Sequence, residues 1–260
     1  MRVPPTLLDC VVFAGYGDAQ SFKAVATAFL LSYGKFLYLV TARHVALELG
    51  NDPFTLRFNA KNGGAYYLYI DFGADQDQTD FKWFHHLNQQ ADVSIFLCGP
   101  THEIPDIYCQ PIDYSVLVRD TCIVAHAGCG SMCHVIGLFT ARSGNYQNIP
   151  VVHTGHLCAM ADSIELIESD NGGRLFKCEG HLVEISNLSG LSGAPVFVRT
   201  DDNELKLLGV WQGSWDSGGA NQRVPVGMGI VTPAYRLAEL LISYDVNRHR
   251  ISHGQRIGHG

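Results

Sequence analysis

The stretch Gly190-Leu-Ser192-Gly-Ala-Pro195-Val-Phe197 sets a serine between glycines and runs straight into an apolar segment. Glycine adopts backbone angles that other residues avoid, so main-chain N–H groups can converge beside the hydroxyl. Toward the N-terminus, Ala91-Asp92-Val-Ser-Ile-Phe-Leu97 places a carboxylate immediately before an apolar strand. Further upstream, Tyr38-Leu-Val-Thr-Ala-Arg-His44-Val45 reads as a buried strand that ends in a tight segment bearing a histidine. The chain has twelve histidines, so one such segment alone says little. The joint pattern is what counts: His, then Asp, then Ser, each attached to a strand and spread over both halves of the chain.

Acyl transfer asks for these three residue types. A serine hydroxyl is a poor nucleophile until a neighbouring base takes its proton. Histidine, with an ordinary pKa near 6.5, takes and returns a proton at neutral pH. A carboxylate fixes the imidazole tautomer and stabilises the imidazolium that forms. Backbone N–H groups beside the serine stabilise the oxyanion, each contributing about 3 kcal/mol.

Composition sets the frame around those segments. Hydrophobic residues make up 47% of the 260 and charged residues 17%, enough apolar material for a globular core. The 27 glycines among many Val, Ile, Phe and Tyr favour a turn-rich β protein over a helix bundle. Short apolar runs read as strands at 24–32, 36–41, 54–58, 65–72, 93–98, 116–118, 133–139, 182–185, 194–198, 205–212 and 225–231. Ser32-Tyr-Gly-Lys35 reads as a hairpin turn between two of them. Residues 43–49 read as one short helix. A second helix is expected over 233–244, with Thr232 as N-cap, Pro233 in the first position, and Leu237, Leu240 and Leu241 on one face. Many short strands and a terminal helix imply β-barrels or a sandwich. The Gly/Cys/Ser patch at 127–133 is the only hint of a midpoint, so a boundary is expected within 110–130.

At this point the sequence resembles the chymotrypsin-like (trypsin-like) serine peptidases, over roughly residues 10–243. Ala26-Thr-Ala-Phe29, a turn and then Leu39-Val-Thr-Ala-Arg-His44 resemble the family's Gly-Thr-Gly-Phe strand, hairpin and Leu-Thr-Ala-Ala-His motif. Ala91-Asp92-Val-Ser-Ile95 resembles Asp-Ile-Ala-Val/Leu, and Gly190-Leu-Ser192-Gly-Ala-Pro195 resembles Gly-Asp/Asn-Ser-Gly-Gly-Pro. Leu208-Gly-Val-Trp-Gln-Gly-Ser-Trp215 looks like the strand lining the substrate channel. Met228-Gly-Ile-Val-Thr-Pro-Ala-Tyr235 looks like the last strand and C-terminal helix. The order His44, Asp92, Ser192 is that of chymotrypsin; α/β-hydrolases and subtilisins use other orders. The resemblance implies an all-β fold of two Greek-key β-barrels with the active site between them and a short C-terminal helix. The barrels would be 1–118, carrying His44 and Asp92, and 119–245, carrying Ser192, followed by a mobile tail at 246–260. It also implies a serine endopeptidase acting on protein or peptide substrate through an acyl-enzyme, without cofactor. The amides of Gly190 and Ser192 would form the oxyanion hole.

Two departures carry information. Activated members of the family often place an acid just before the serine, where it pairs with a new N-terminus made by cleavage. Here that position is Leu191, which excludes activation by that ion pair. Ala194 replaces a glycine and is tolerated unless its φ is positive. The resemblance puts the base of the specificity pocket at Ser186 and Asn187, with Gln212 and Gly213 along the substrate strand. A pocket without an acid favours an apolar, aromatic or small residue over Arg or Lys. No histidine lies between Ser192 and His249, so the Gln specificity of viral main-type proteases is not expected.

The remaining features read as background. Net charge is −7, and the only basic cluster is the tail from Arg248 to His259, so nucleic acid is not an expected partner. No apolar run approaches the roughly 18 residues of a membrane span. The first ten residues do not form a secretory signal, which predicts a cytoplasmic protein with free thiols at Cys10, Cys98, Cys109, Cys122, Cys129, Cys133, Cys158 and Cys178. Cys122, Cys129, Cys133 and His134, with His126 beside them, form a weak zinc pattern without a second knuckle. His153, His156 and Cys158 form another. The acidic run Asp71–Asp80 lacks calcium-loop spacing. Gly15-Tyr-Gly17 is only a fragment of a dinucleotide fingerprint. A second class of function stays open beside catalysis: a module that keeps the fold but is latent or silent, and that binds a regulatory protein through its cleft.

Overall fold

The computed structural model describes residues 2–50, 52–71, 82–100, 107–108, 110–119, 127–168, 174–186, 188–217, 224–243 and 245–250. A single helical turn, α1 (Pro5–Leu8), precedes the first group of strands. These are β1 (Val11–Tyr16), β2 (Lys23–Tyr33), β3 (Phe36–Thr41), β4 (Phe54–Asn59), β5 (Ala65–Ile70), β6 (Trp83–His85), β7 (Ser94–Pro100) and β8 (Ile112–Asp113), with helix α2 (Arg43–Leu49) after β3. They form an eight-stranded sheet in the order β5-β4-β1-β2-β3-β7-β6, with β8 parallel to β2 off that path. The second group is β9 (Met132–Gly137), β10 (Val151–Glu168), β11 (Arg174–Glu184), β12 (Pro195–Arg199), β13 (Leu205–Ser217) and β14 (Val224–Pro233), followed by helix α3 (Ala234–Leu241). These six strands close into a barrel in the order β10-β11-β14-β13-β12-β9. The second barrel is therefore a closed ring, while the described strands of the first half form a sheet whose ladder ends at β5 and β6.

Strand periodicity explains the core. Successive strand residues point to opposite faces, and the central strands of the first sheet are apolar on both. Val12, Ala14, Ala28, Leu30, Leu37 and Leu39 face one cluster with Phe54, Leu56 and Phe96. Val11, Phe13, Phe29, Leu31, Tyr38 and Val40 face the other way, into a cluster shared with Ile136, Leu138, Phe197, Leu207 and Val210 of the barrel and with Leu237, Leu240 and Leu241 of α3. A third cluster, including Val135, Leu191, Val196 and Trp211, fills the barrel. Burying one large apolar side chain contributes about 1.5–3 kcal/mol. The shared layer therefore fixes how the sheet and the barrel meet.

Strands β1, β6, β8 and β10 were not among the expected runs, and further details differ. Residues 116–118 do not form a strand: Tyr114–Val116 is a 3-10 turn and Leu117 makes a single bridge to Leu207. Helix α3 begins one residue later than expected, with Pro233 at the cap and no side-chain cap bond. Thr232 instead spends its hydroxyl elsewhere, as shown below. Residues 245–250, assigned mostly to a free tail, are helical, and Val246 is buried in the shared core; residues 251–260 lie outside the described ones. Ala194 does not have a positive φ, so its methyl is accommodated without strain. Among the described residues no helix is long and apolar enough to cross a membrane.

Candidate active site

Strand β3 delivers the histidine. It ends at Thr41, Ala42 is extended, and α2 starts at Arg43. Val45, Ala46 and Leu49 are the buried face of α2, which leaves the His44 side chain half-exposed at the start of the helix. Arg43 Nη1 donates to His86 O at 3.2 Å, tying α2 to the loop between β6 and β7. That loop is a tight knot: Ala91 N donates to Asn88 O at 3.1 Å and Val93 N to Ala91 O at 3.0 Å. Ala91 and Val93 are fully buried on either side of Asp92, so the carboxylate is held at the rim by two apolar anchors.

Asp92 grips His44 at two points. His44 Nδ1 lies 2.7 Å from Asp92 Oδ2, and the main-chain N of His44 donates to Asp92 Oδ1 at 2.9 Å. With Nδ1–H given to the carboxylate, Nε2 is the nitrogen free to accept a proton. Burial pulls the His44 pKa down, but the hydrogen bond to Asp92 and the charges of Asp92 and Glu48 outweigh it, and the net shift is upward from 6.5. Nearby Cys178 is pushed up to about 11, by burial and then by the Asp92 charge, and stays a neutral thiol.

Ser192 reaches the same place from the barrel. Gly190 and Gly193 have φ of 99° and 84°, a region natural to glycine. A Cβ on Gly193 would lie 2.1 Å from Thr41 Oγ1 and 2.2 Å from Thr27 O, so the serine turn is pressed against the end of β3, just before His44. The turn spends its amides selectively. Leu191 N donates to Leu188 O at 3.3 Å, Gly193 N to Trp211 O at 2.9 Å and Ala194 N to Leu191 O at 2.8 Å. The amides of Gly190 and Ser192 have no hydrogen-bond partner among the described residues. They belong to the two residues for which the resemblance implies an oxyanion-binding role.

The Ser192 hydroxyl donates to Gln212 O at 3.3 Å rather than to His44. Gln212 Nε2 donates to Thr232 Oγ1 at 2.8 Å, and Thr232 Oγ1 donates to Asp92 O at 3.3 Å. Gln212 thus contacts Ser192 through its main chain and Thr232 through its side chain, and Thr232 in turn holds the main chain of Asp92. Gln212 is also tied to Glu179 O at 3.3 Å. The Glu179 carboxylate bonds to Tyr235 Oη, receives Arg236 Nε at 3.0 Å and lies 3.4 Å from Asn88 Nδ2 in the Asp92 loop. Thr232, Glu179, Tyr235 and Arg236 were missed by motif reading because each acts through a partner far away in the chain. Their signal was a polar residue inside a buried run.

Other expected positions fall as follows. Gly213 borders open space, where a Cβ would meet nothing within 4 Å. Ser186 is exposed, and Asn187 lies outside the described residues. So do Cys109, Cys122, His126 and most of the acidic run 71–80. Cys133 is buried in the barrel core, whereas His134 next to it points to the opposite face and bonds Thr154 Oγ1 at 2.9 Å. The two cannot share one ion. Among the described residues no cluster of three His, Cys, Asp or Glu side chains suits a metal, and six cysteines are free thiols.

No known family profile matches the chain, and no curated protein matches its sequence. Solved structures do. The chain is similar to the MamO protease domain of Magnetospirillum magneticum in its apo form, with a TM-score of 0.57, 13% identity, and coverage of 92% of this chain and 98% of that one. It is also similar to the Rv3671c protease of M. tuberculosis. The active form gives a TM-score of 0.51 at 16% identity over 91% of this chain and 81% of that one, and an inactive form gives 0.50 at 18% over 91% and 89%. At these identities the likeness shows the fold, which is that of the chymotrypsin-like serine proteases. Near-equal scores against active and inactive forms leave the activity to the site itself.

Proposed function

We propose that the chain is a serine endopeptidase whose base is His44, whose orienting acid is Asp92 and whose nucleophile is Ser192. The observation that carries this reading is the double grip of Asp92 on His44, which leaves Nε2 as the free basic nitrogen. The unpaired amides of Gly190 and Ser192 support it. In the reaction the Ser192 hydroxyl rotates away from Gln212 O and attacks the scissile carbonyl while His44 Nε2 takes its proton. The oxyanion accepts from the two amides. The intermediate collapses, the C–N bond breaks, and the leaving amine takes the proton from His44. Water, deprotonated by His44, then attacks the acyl-enzyme, and the proton returns to Ser192 as the acid product leaves. No step needs a cofactor. The exposed, neutral Ser186, with Asn187, suits an apolar, aromatic or small residue before the cut. Leu191 is fully buried in the barrel core and carries no acid to pair with a new N-terminus, so this reading gives the activity to the intact chain without that ion pair.

One observation favours a second reading. The Ser192 hydroxyl rests on Gln212 O and not on His44, the posture of a latent module that awaits substrate or a regulatory protein. A fluorophosphonate probe on the intact chain separates the two. Labelling at Ser192 that is lost in Ser192→Ala and His44→Ala is the expected result. A folded wild-type chain that does not label would move the assignment to the latent or scaffold reading.

A further inference from the structure

The turn that carries Ser192 is held from the opposite half of the molecule. Thr27, on β2 of the first sheet, is fully buried. Its hydroxyl donates to Gly190 O at 2.6 Å and accepts from Leu138 N at 2.9 Å. Its main-chain N donates to Ser192 O at 3.0 Å, and its own carbonyl accepts Thr41 Oγ1 at 2.8 Å. One residue therefore fixes two alternate peptides of the turn by their carbonyls. The peptides just before each of these are pinned in the same way: Ser189 O accepts Thr140 N at 3.0 Å, and Leu191 O accepts Ala194 N at 2.8 Å. With these carbonyls engaged, the N–H groups of Gly190 and Ser192 are left without an acceptor among the described residues. Turning either donor peptide over would break the Thr140–Ser189 or the Ala194–Leu191 bond, at a cost of about 1–3 kcal/mol, and would twist the adjoining peptide that Thr27 holds by its carbonyl.

The loop after Thr140 is anchored to the same sheet. Arg57 on β4, nearly fully buried, donates to Asn148 Oδ1 at 2.7 Å, Gly144 O at 3.0 Å and Ser143 O at 2.6 Å. Asn148 N donates to Asn59 Oδ1 at 2.6 Å. The loop that supplies Thr140 N is thus itself clamped by the first half.

We propose that Thr27 is the positioning residue that keeps the oxyanion-binding turn preformed in the intact chain. It does by a hydroxyl from the neighbouring half what an acid before the serine and a freshly cut N-terminus would otherwise do. Thr27 touches no substrate; it acts through Gly190 and Ser192. The inference rests on the peptidase reading, and its test is arranged so that the two can fail separately.

The experiment compares wild type, Thr27→Val and Thr27→Ser by backbone amide relaxation and by the rate of fluorophosphonate labelling. In wild type the Gly190 and Ser192 amides should be rigid, with order parameters of about 0.85. A mobile turn, below about 0.6, overturns the inference whether or not the chain labels. Thr27→Val keeps the shape and removes the hydroxyl. It should loosen the turn and slow labelling by about 10²-fold, the order lost with one oxyanion donor. Thr27→Ser, which returns the hydroxyl, should restore both. Equal turn order and labelling in Thr27→Val and wild type would also sink the idea. If Thr27→Val does not fold, the wild-type relaxation and the Thr27→Ser comparison still decide. A rigid turn in a chain that never labels would remove the peptidase reading and leave the clamp standing.

Discussion

The two halves hold their shares of the site by different means. The first sheet holds His44 and Asp92 as side chains: an imidazole and a carboxylate 2.7 Å apart, with a second bond to the main chain. The barrel holds Ser192 through its backbone, in a turn with two positive-φ glycines and carbonyls pinned by Thr27, Thr140 and Ala194. The first arrangement depends on charge and tautomer. The second depends on shape and on space for glycine. A substitution in one half should therefore fail differently from one in the other.

The strongest way to break the contrast is Asp92→Asn. Geometry survives, but the amide cannot enforce the right tautomer, and turnover should fall by about 10⁴-fold; steady-state kinetics on a peptide library reads it, and a loss under tenfold would show that the acid does not orient the base. On the barrel side, Gly193→Ala puts a methyl 2.1 Å from Thr41 Oγ1 at φ 84°. It should cost about 10²–10³ in labelling rate through displaced donors, together with a lower melting temperature, a pairing of effects that Asp92→Asn should not show. Glu179→Gln tests the strut between the halves. It removes the charge that Arg236 and Tyr235 share, and denaturant unfolding should register about 1–3 kcal/mol.

The smallest effect is a displacement along the pH axis. Because the His44 pKa is raised above 6.5, the neutral base needed for attack accumulates only above 6.5, and the acid limb of kcat/KM should lie there. The contribution of the pair to folding runs the other way: it is complete below 6.5 and fades as pH rises through the raised value. An acid limb below 6.5 would show that Asp92 does not dominate the imidazole. Asp92→Asn should bring the limb down.

The same contrast explains what could be read in advance. Strands bounded by turn residues were visible as apolar runs, and His44, Asp92 and Ser192 stood out because their flanking residues form compact motifs. The selective use of amides at 190–194 was not visible, since it depends on Thr27 and Thr140 across the fold. Thr27 did leave a trace, as a hydroxyl in the middle of the apolar run 24–32, whose other hydroxyl, Ser32, sits at its end. Thr232 was read as a helix cap because local rules favour that use, but a long-range partner, Asp92 O, took the hydroxyl. Strand β10 escaped notice because its register shifts at Leu157/Ala159 and Ala159/Asp162 interrupt the two-residue period. At 116–118 the apolar run is real, but it serves a 3-10 turn and one bridge to Leu207.

The shared apolar layer has a consequence for survival in solution. Phe13, Phe29 and Tyr38 of the sheet pack in one cluster with Phe197 and Val210 of the barrel and Leu237 of α3. Neither half can open without exposing the interior of the other, which binds them into one cooperative unit. If the chain cuts polypeptides as proposed, its own copies are among its targets, and they are safe only while partial openings stay rare. Resistance to self-digestion would then be a property of the layer between the halves rather than of the turn that carries Ser192.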